Sequence, residues 1–328
     1  MKRRTFIKIA ASGTLAAGMG IPLFSNPKTG VRDKWGELLP LNDFGSTGRK
    51  VTMLGLGGYH IGRMTERDAQ ATIETAIAGG IRFFDAAHSY VGGQNERHYG
   101  KLLVPKYRDE IFLMTKSTAR DGKLAQQELD ESLSRMNADH LDLYLMHSVS
   151  SIEHVNQLRD NGVLDVFINA KNTGKIKHIG FSGHTLPRVS SYLLEQFRDV
   201  VECNMLPVNV VDPSYESFIR EVIPTLEQRN LGIIGMKSLS GGSFWGGGFE
   251  GRRGQKEKVI DYVTIKEAFH FSLSMPVDVL VTGPLNPEML QEKIDLTRNF
   301  VKLSEQEQNA LIDKVARFAG NNIEYYKA

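Results

Sequence analysis

Apolar and β-branched residues recur in eight short runs along this chain. They fall at 50–58 ("KVTMLGLGG"), 81–87, 111–116, 141–147, 176–183, 200–206, 231–238 and 277–283. Stretches between them carry apolar residues at helical spacing instead. Residues 65–80 open on a Thr cap and stop at Gly-Gly, and 124–137 and 214–230 read similarly. Pro224 is expected to kink the last of these or break it in two. A further amphipathic helix, 304–320, follows the eighth unit. Strands alternating with helices predict a parallel sheet. Eight units in roughly 250 residues predict an α/β fold, a closed (β/α)8 TIM barrel with an extra C-terminal helix. A doubly wound open sheet would be favoured by Gly-x-Gly-x-x-Gly at a strand–helix junction. "LGLGGYHIG" at 54–62 lacks the full spacing.

Composition narrows the function classes. With 41% hydrophobic and 24% charged residues, a chain of 328 can bury a full core. Forty basic residues against 38 acidic leave a net charge of +2, and no long basic stripe points to nucleic acid. The charged run at 252–258 reads as solvated loop. One cysteine, Cys203, excludes a disulfide within the chain and a multi-Cys zinc site. Its apolar surroundings predict a buried, inert thiol.

The first 30 residues read as an address and 31–328 as the folded barrel. "MKRRTFIKIAASGTLAAGMGIPLFS" joins a basic start to a short apolar run, the plan of an export signal. Arg3 and Arg4, then Phe6, Ile7 and Lys8, resemble the twin-arginine signal. That implies the twin-arginine export machinery as a partner and a periplasmic or exported protein. The apolar run is short for a spanning helix, and no clear Ala-x-Ala site follows. Cleavage and retention as an inner-membrane anchor therefore both stay open. Export in the folded state would let a cofactor leave the cytoplasm already bound.

In a barrel, residues at the C-terminal strand ends converge on one mouth. The second strand ends at Asp85 with Tyr90 on its loop, the third at Lys116, the fourth at His147. Singly, each has an ordinary explanation: a cap, a solvated amine, a hydrogen-bonded imidazole. Together they form a proton-transfer set. An ammonium beside a phenol favours the phenolate and lowers its pKa, and a carboxylate keeps that ammonium charged. The phenol then serves as general acid while the imidazole orients a carbonyl oxygen. With a hydride from a nicotinamide, the outcome is carbonyl reduction. Asn95 and Glu96, opening the next helix, are expected to cap it, and His88 receives no role. His60, His88, His147 and His184 could gather at the mouth of a metal-dependent hydrolase. Their spacing matches no metal site, so no metal is expected.

These residues resemble the aldo-keto reductase family, whose fold is a (β/α)8 barrel. "FDAAHSYVGGQNERHYGKLL" (83–102) keeps the Asp, Tyr, second Gly, Glu, Gly and Leu of the family's second-strand signature. "TGRKVTMLGLGG", "LYLMH" and "KIKHIGFSGH" match in order, so the resemblance spans about 43–300. It implies a catalytic tetrad of Tyr90 as proton donor, Lys116 as its pKa modifier, Asp85 as the partner of Lys116, and His147 as carbonyl orienter. It implies NAD(P) as cofactor and a small carbonyl or alcohol as substrate. Gly58, Ser182, Gly183, Met205 and Met236 fall at its nicotinamide end. Gly183 stands where the family has Asn, Met205 where it has Gln, and Met236 where an aromatic often stacks.

Lys237, Ser238 and Leu239 belong to a glycine-rich loop whose N–H groups suit a pyrophosphate. Gly283, Asn286, Met289 and Glu292 follow the eighth strand. Leu285 and Met289 occupy positions that are usually basic and hold the 2′-phosphate of NADP, and Lys293 replaces an Asn. The resemblance therefore implies a weakened preference for NADP over NAD. Lys237, Arg252 or Arg253 could supply a substitute charge. A nucleotide-binding or sensing barrel with little turnover is the alternative function. The altered nicotinamide contacts favour it, and the intact tetrad opposes it. The substrate pocket is expected in the loops, notably 237–262.

Overall fold

The first apolar run is two strands, not one. The computed structural model describes residues 30–246 and 257–328; the signal-like segment, Arg252 and Arg253 lie outside the described residues. Lys50–Thr52 pairs antiparallel with Leu41–Asp43, and only Leu54–Gly57 enters the barrel. The Thr52 hydroxyl forces the break. It donates to the Leu54 carbonyl (2.8 Å) and accepts from the Arg82 N–H (3.1 Å). A hydroxyl bonding two residues ahead offers the chain a turn in place of a ladder.

The barrel strands are β1 (Leu54–Gly57), β2 (Phe83–Asp85), β3 (Phe112–Ser117), β4 (Leu141–Met146), β5 (Ile176–Ser182), β6 (Cys203–Pro207), β7 (Gly232–Met236) and β8 (Val279–Thr282). All pair in parallel and close as β6-β7-β8-β1-β2-β3-β4-β5. The fold is the predicted TIM barrel. Helices cover the outside, burying alternate strand residues such as Phe84, Leu113, Tyr144 and Phe181. Phe83, Phe112, Met114, Leu143, Leu145, Ile234, Val279 and Val281 fill the interior. The antiparallel hairpin is the floor. Phe44 meets Phe112 and Phe83 edge-on, with centroids 5.5 and 6.4 Å apart. Cys203 is a buried free thiol, and burial pushes its pKa well above the usual range.

Helix signals hold in outline. Glu66–Ala78 starts on Thr65, whose oxygen accepts the Asp68 N–H (3.2 Å). The 214–230 stretch is broken as expected, into Phe218–Glu221 and Ile223–Gln228. Pro224 falls in the first turn of the second piece, where a missing N–H leaves no bond unmade. The extra helix, Glu305–Val315, follows the eighth unit on a Ser304/Glu307 capping box. Among the described residues, no helix is long and apolar enough to cross a membrane.

Beyond that helix the chain returns to the barrel mouth. Residues 323–327 dock against the loop after β6 and bury Glu324, Tyr326 and Lys327. Nothing in the sequence pattern predicts this.

Candidate active site

Strand parity brings three of the four strand-end candidates together. Phe83 fills the barrel interior, so Asp85, two residues on, also points inward. Phe112 and Met114 put Lys116 inside, and Leu143 and Leu145 do the same for His147. The polar residues thus form the top layer of the packed interior. Tyr90 arrives from the β2 loop. That loop turns through three left-handed residues, Val91 (φ +52°), Gly92 (+60°) and Gly93 (+81°). A β-branched residue at positive φ is a strained choice, and it stands next to the phenol.

Lys116 is buried, with its amine 2.5 Å from the Asp85 carboxylate. It also donates to the Ala86 carbonyl (2.7 Å) and to the Tyr90 hydroxyl (3.1 Å). Two hydrogen bonds and one ion pair thus surround the amine. Burial opposes the charge on Lys116, but Asp85 and Tyr90 outweigh it and raise its pKa. Burial raises the Asp85 carboxyl, offset in part by Lys116 and by a hydrogen bond from Gly58. Gly58 does not border the cavity described below. A Cβ there would lie 2.3 Å from the Asp85 carbonyl, so the backbone approaches as only glycine allows.

Tyr90 departs from the sequence expectation. Burial raises its pKa and outweighs the lowering by Lys116, so the phenol is protonated at neutral pH. Charge proximity alone predicted a net lowering; desolvation, invisible in sequence, is the larger effect. The His147 ring stands edge-on to Tyr90, centroids 5.6 Å apart. Burial, with Lys116 and His184 as neighbouring cations or potential cations, drives its pKa well below the usual value. His147 is therefore neutral.

The same loop corrects two minor expectations. The helix Gln94–Leu102 is capped by Gly93 without any side-chain bond. Glu96 is fully buried instead, accepting from the Thr115 hydroxyl (2.7 Å) and pairing with Arg135 (3.3 Å). Asn95 is buried against Gly58. His88 sits between two carboxylates, 2.9 Å from Glu131 and 3.5 Å from Glu128.

A cavity of about 1130 Å³ opens above Asp85 and Tyr90 and runs to the loop after β8. Met205, Met236, Lys237, Ser238, Leu239, Gly283, Asn286 and Met289 border it. Ser182, Gly183 and Glu292 do not. The Ser182 hydroxyl oxygen accepts the Ser148 N–H (3.1 Å), the Gly183 N–H donates to the Met205 carbonyl (3.2 Å), and Glu292 pairs with Lys293 (2.5 Å). Lys237 and Ser240 adopt positive φ, as do Gly241 and Gly242. Successive backbone N–H groups in such turns make anion-binding concavities. Size and lining fit an elongated phosphorylated ligand.

Sequence reasoning missed several mouth residues. Tyr59 packs edge-on against Tyr90 (5.4 Å) and lines the cavity, as do Arg63, Arg67 and Trp245. Tyr59 directly follows the β1 end, a signal that strand-end reasoning could have used. His60 also borders the cavity. Burial lowers both His60 and His184 to about 4, leaving neutral rings. Among the described residues, no group of three or more His, Cys, Asp or Glu side chains could hold a metal ion.

A closed eight-stranded parallel barrel is an architecture shared with solved aldo-keto reductases. The chain belongs to the aldo/keto reductase family, whose model matches residues 53–303. It is 28% identical to L-galactose dehydrogenase of Arabidopsis thaliana over 228 residues, 62% of this chain and 66% of that protein. It is 28% identical to aldo-keto reductase YhdN of Bacillus subtilis, over 61% of this chain and 62% of that one. It is 26% identical to L-glyceraldehyde 3-phosphate reductase of Escherichia coli, over 62% of each. The matched regions span less than two thirds of these relatives' lengths. The fold superimposes on a holo-form aldo-keto reductase from Bacillus halodurans with a TM-score of 0.72 at 19% identity, covering 88% of this chain and all of that one.

Proposed function

We propose that this protein is a nicotinamide-dependent carbonyl reductase, working in reverse as an alcohol dehydrogenase. The observation that carries the reading is the Asp85–Lys116–Tyr90 chain of contacts ending on a cavity, with a neutral His147 edge-on to the Tyr90 ring. When bound, the nicotinamide supplies or accepts the hydride. His147 hydrogen-bonds the carbonyl oxygen, and Tyr90 gives that oxygen its proton. Lys116 stabilises the phenolate left behind, and Asp85 holds the amine charged and in place. In reverse, the phenolate takes the alcohol proton.

Met205, Met236, Lys237, Ser238, Leu239, Gly283, Asn286 and Met289 are the residues that would hold NAD(P). Two relatives are named for a sugar and a sugar phosphate. Trp245 and Tyr59 on the cavity wall offer apolar faces to a sugar ring. A small aldose or related carbonyl is therefore the proposed substrate class. Leu285 and Met289 are exposed apolar side chains where phosphate-binding cations are usual in the family. Arg67 and Lys293 border the same cavity and can replace part of that charge. The proposed preference for NADP over NAD is accordingly weak.

Both points are tested on purified full-length protein. NADPH and NADH should bind with dissociation constants less than a hundredfold apart; a wider gap contradicts the weak preference. Tyr90→Phe should lower kcat for carbonyl reduction on the order of 10²–10⁴-fold with nucleotide binding intact. Unchanged kcat removes Tyr90 as the acid. A wild type that binds nucleotide without turning over any small carbonyl would support the sensing barrel instead.

A further inference from the structure

We propose that residues 323–327 are a latch that shapes the loop 237–246, and that through this loop the docked segment sets nucleotide affinity. The inference rests on the nucleotide-binding reading given above. Its starting observation is a buried charge that catalysis does not use. The Lys327 side chain has no solvent exposure, and its amine lies 2.8 Å from Asp212 and 2.9 Å from Glu324. It donates hydrogen bonds to Asp212 and to the Tyr215 carbonyl (2.7 Å) and pairs with Glu324. Asp212 is fixed in turn by the Ser217 hydroxyl and by the N–H groups of Phe218 and Ile219. Next along the tail, the Tyr326 hydroxyl accepts from the Asn209 amide (2.9 Å) and donates to Glu324 (3.2 Å). A buried amine held by two hydrogen bonds and two carboxylates fixes one docked position.

What that position holds is the cavity loop. The Ser240 hydroxyl donates to the Ile323 carbonyl (2.7 Å). The Lys237 amine is 3.4 Å from the Tyr325 hydroxyl and 5.5 Å from the ring centres of both Tyr325 and Tyr326. A Cβ at Gly241 would come within 2.6 Å of the Tyr325 hydroxyl. His184, across the mouth, lies 3.3 Å from the Tyr326 carbonyl. Lys237 and Ser240 are the non-glycine residues of this loop at positive φ, +62° and +48°. Side chains resist that conformation, so it persists only where neighbours over-determine it. The tail touches both. The left-handed course of the loop is thus a property of the docked tail as much as of its own glycines. Lys327 and Tyr325 are positioning residues: they act on the nucleotide through Lys237, Ser240 and Gly241.

The test titrates NADPH and NADH into full-length wild type, Tyr325→Ala and Lys327→Met. Tyr325 is only partly buried, so its variant keeps the fold and decides the matter if Lys327→Met does not fold. The expected result is a tenfold or greater weakening of nucleotide binding in Tyr325→Ala. Its KM for nucleotide should rise in step, with kcat at saturating nucleotide within twofold of wild type. Tyr325→Phe, which keeps the ring over Lys237, should recover part of the lost affinity. Wild-type affinity in Tyr325→Ala overturns the latch and leaves the reductase reading standing. A fall in kcat at saturation as large as the fall in affinity assigns the tail to general stability and also overturns it. A wild type that binds neither nucleotide overturns both readings.

Discussion

Lys116 sits in the barrel wall with one carboxylate, one carbonyl and one phenol around its amine. That set is legible in the sequence because two-residue parity carries the inward direction from Phe112 through Met114 to Lys116. The electrostatic balance is not legible. Whether a phenol rises or falls in pKa depends on how much water surrounds it, and Tyr90 rises. A second buried acid shows the same effect at the other end of the barrel. Asp278 is raised from 3.8 to about 6, first by burial, while the Ile233 and Gly45 N–H groups pull it down. Between those two values the folded chain keeps a proton that the unfolded chain has released. Its contribution to stability therefore falls as pH rises through the window and stays lost above it. Asp278→Asn can keep both hydrogen bonds through its amide oxygen and cannot ionise. Relative to wild type, its melting temperature should climb from pH 4 to pH 7. A constant difference across that range would contradict the assignment.

At the scale of elements, short strands and capped helices were readable, and their interruptions less so. Thr65, Pro224 and Ser304 act as local signals and stand where the chain starts or breaks. The floor hairpin escaped because an unbroken apolar run hides a turn made by one hydroxyl, Thr52. The hairpin's job is to close the barrel below the aromatic layer, and Phe44 carries it. Gly232 gives way to the ring: a Cβ there would lie 2.6 Å from it. Phe44→Ala should destabilise the protein by about 3–5 kcal/mol in denaturant unfolding. Nucleotide affinity should remain near wild type, because the floor and the mouth lie at opposite ends. A large loss of affinity without a loss of stability would mean that the two ends are coupled.

The whole molecule combines a barrel visible in sequence with a closure that is not. The Lys327–Asp212 contact joins positions 115 residues apart, and no local pattern announces it. Export adds a question of another kind. Arg3 and Arg4 lie outside the described residues, and we propose that they direct the folded protein through the twin-arginine route with its nucleotide aboard. Arg3→Lys with Arg4→Lys should leave the protein in the cytoplasmic fraction, while wild type appears in the periplasm with nucleotide bound. Equal distribution of the two would end that proposal.

The docked segment also fixes an order of events in folding. Lys327 meets Asp212 across 115 residues, so the contact closes a long stretch of chain and forms after the strands between them are in place. The barrel can close first, and the loop at 237–246 then receives its last support from a segment made well after it. Under the proposed latch, a chain cut before Ile323 would close its barrel and hold nucleotide poorly. Ala328 is exposed, so a change there faces solvent, whereas a change one residue earlier enters the buried cluster.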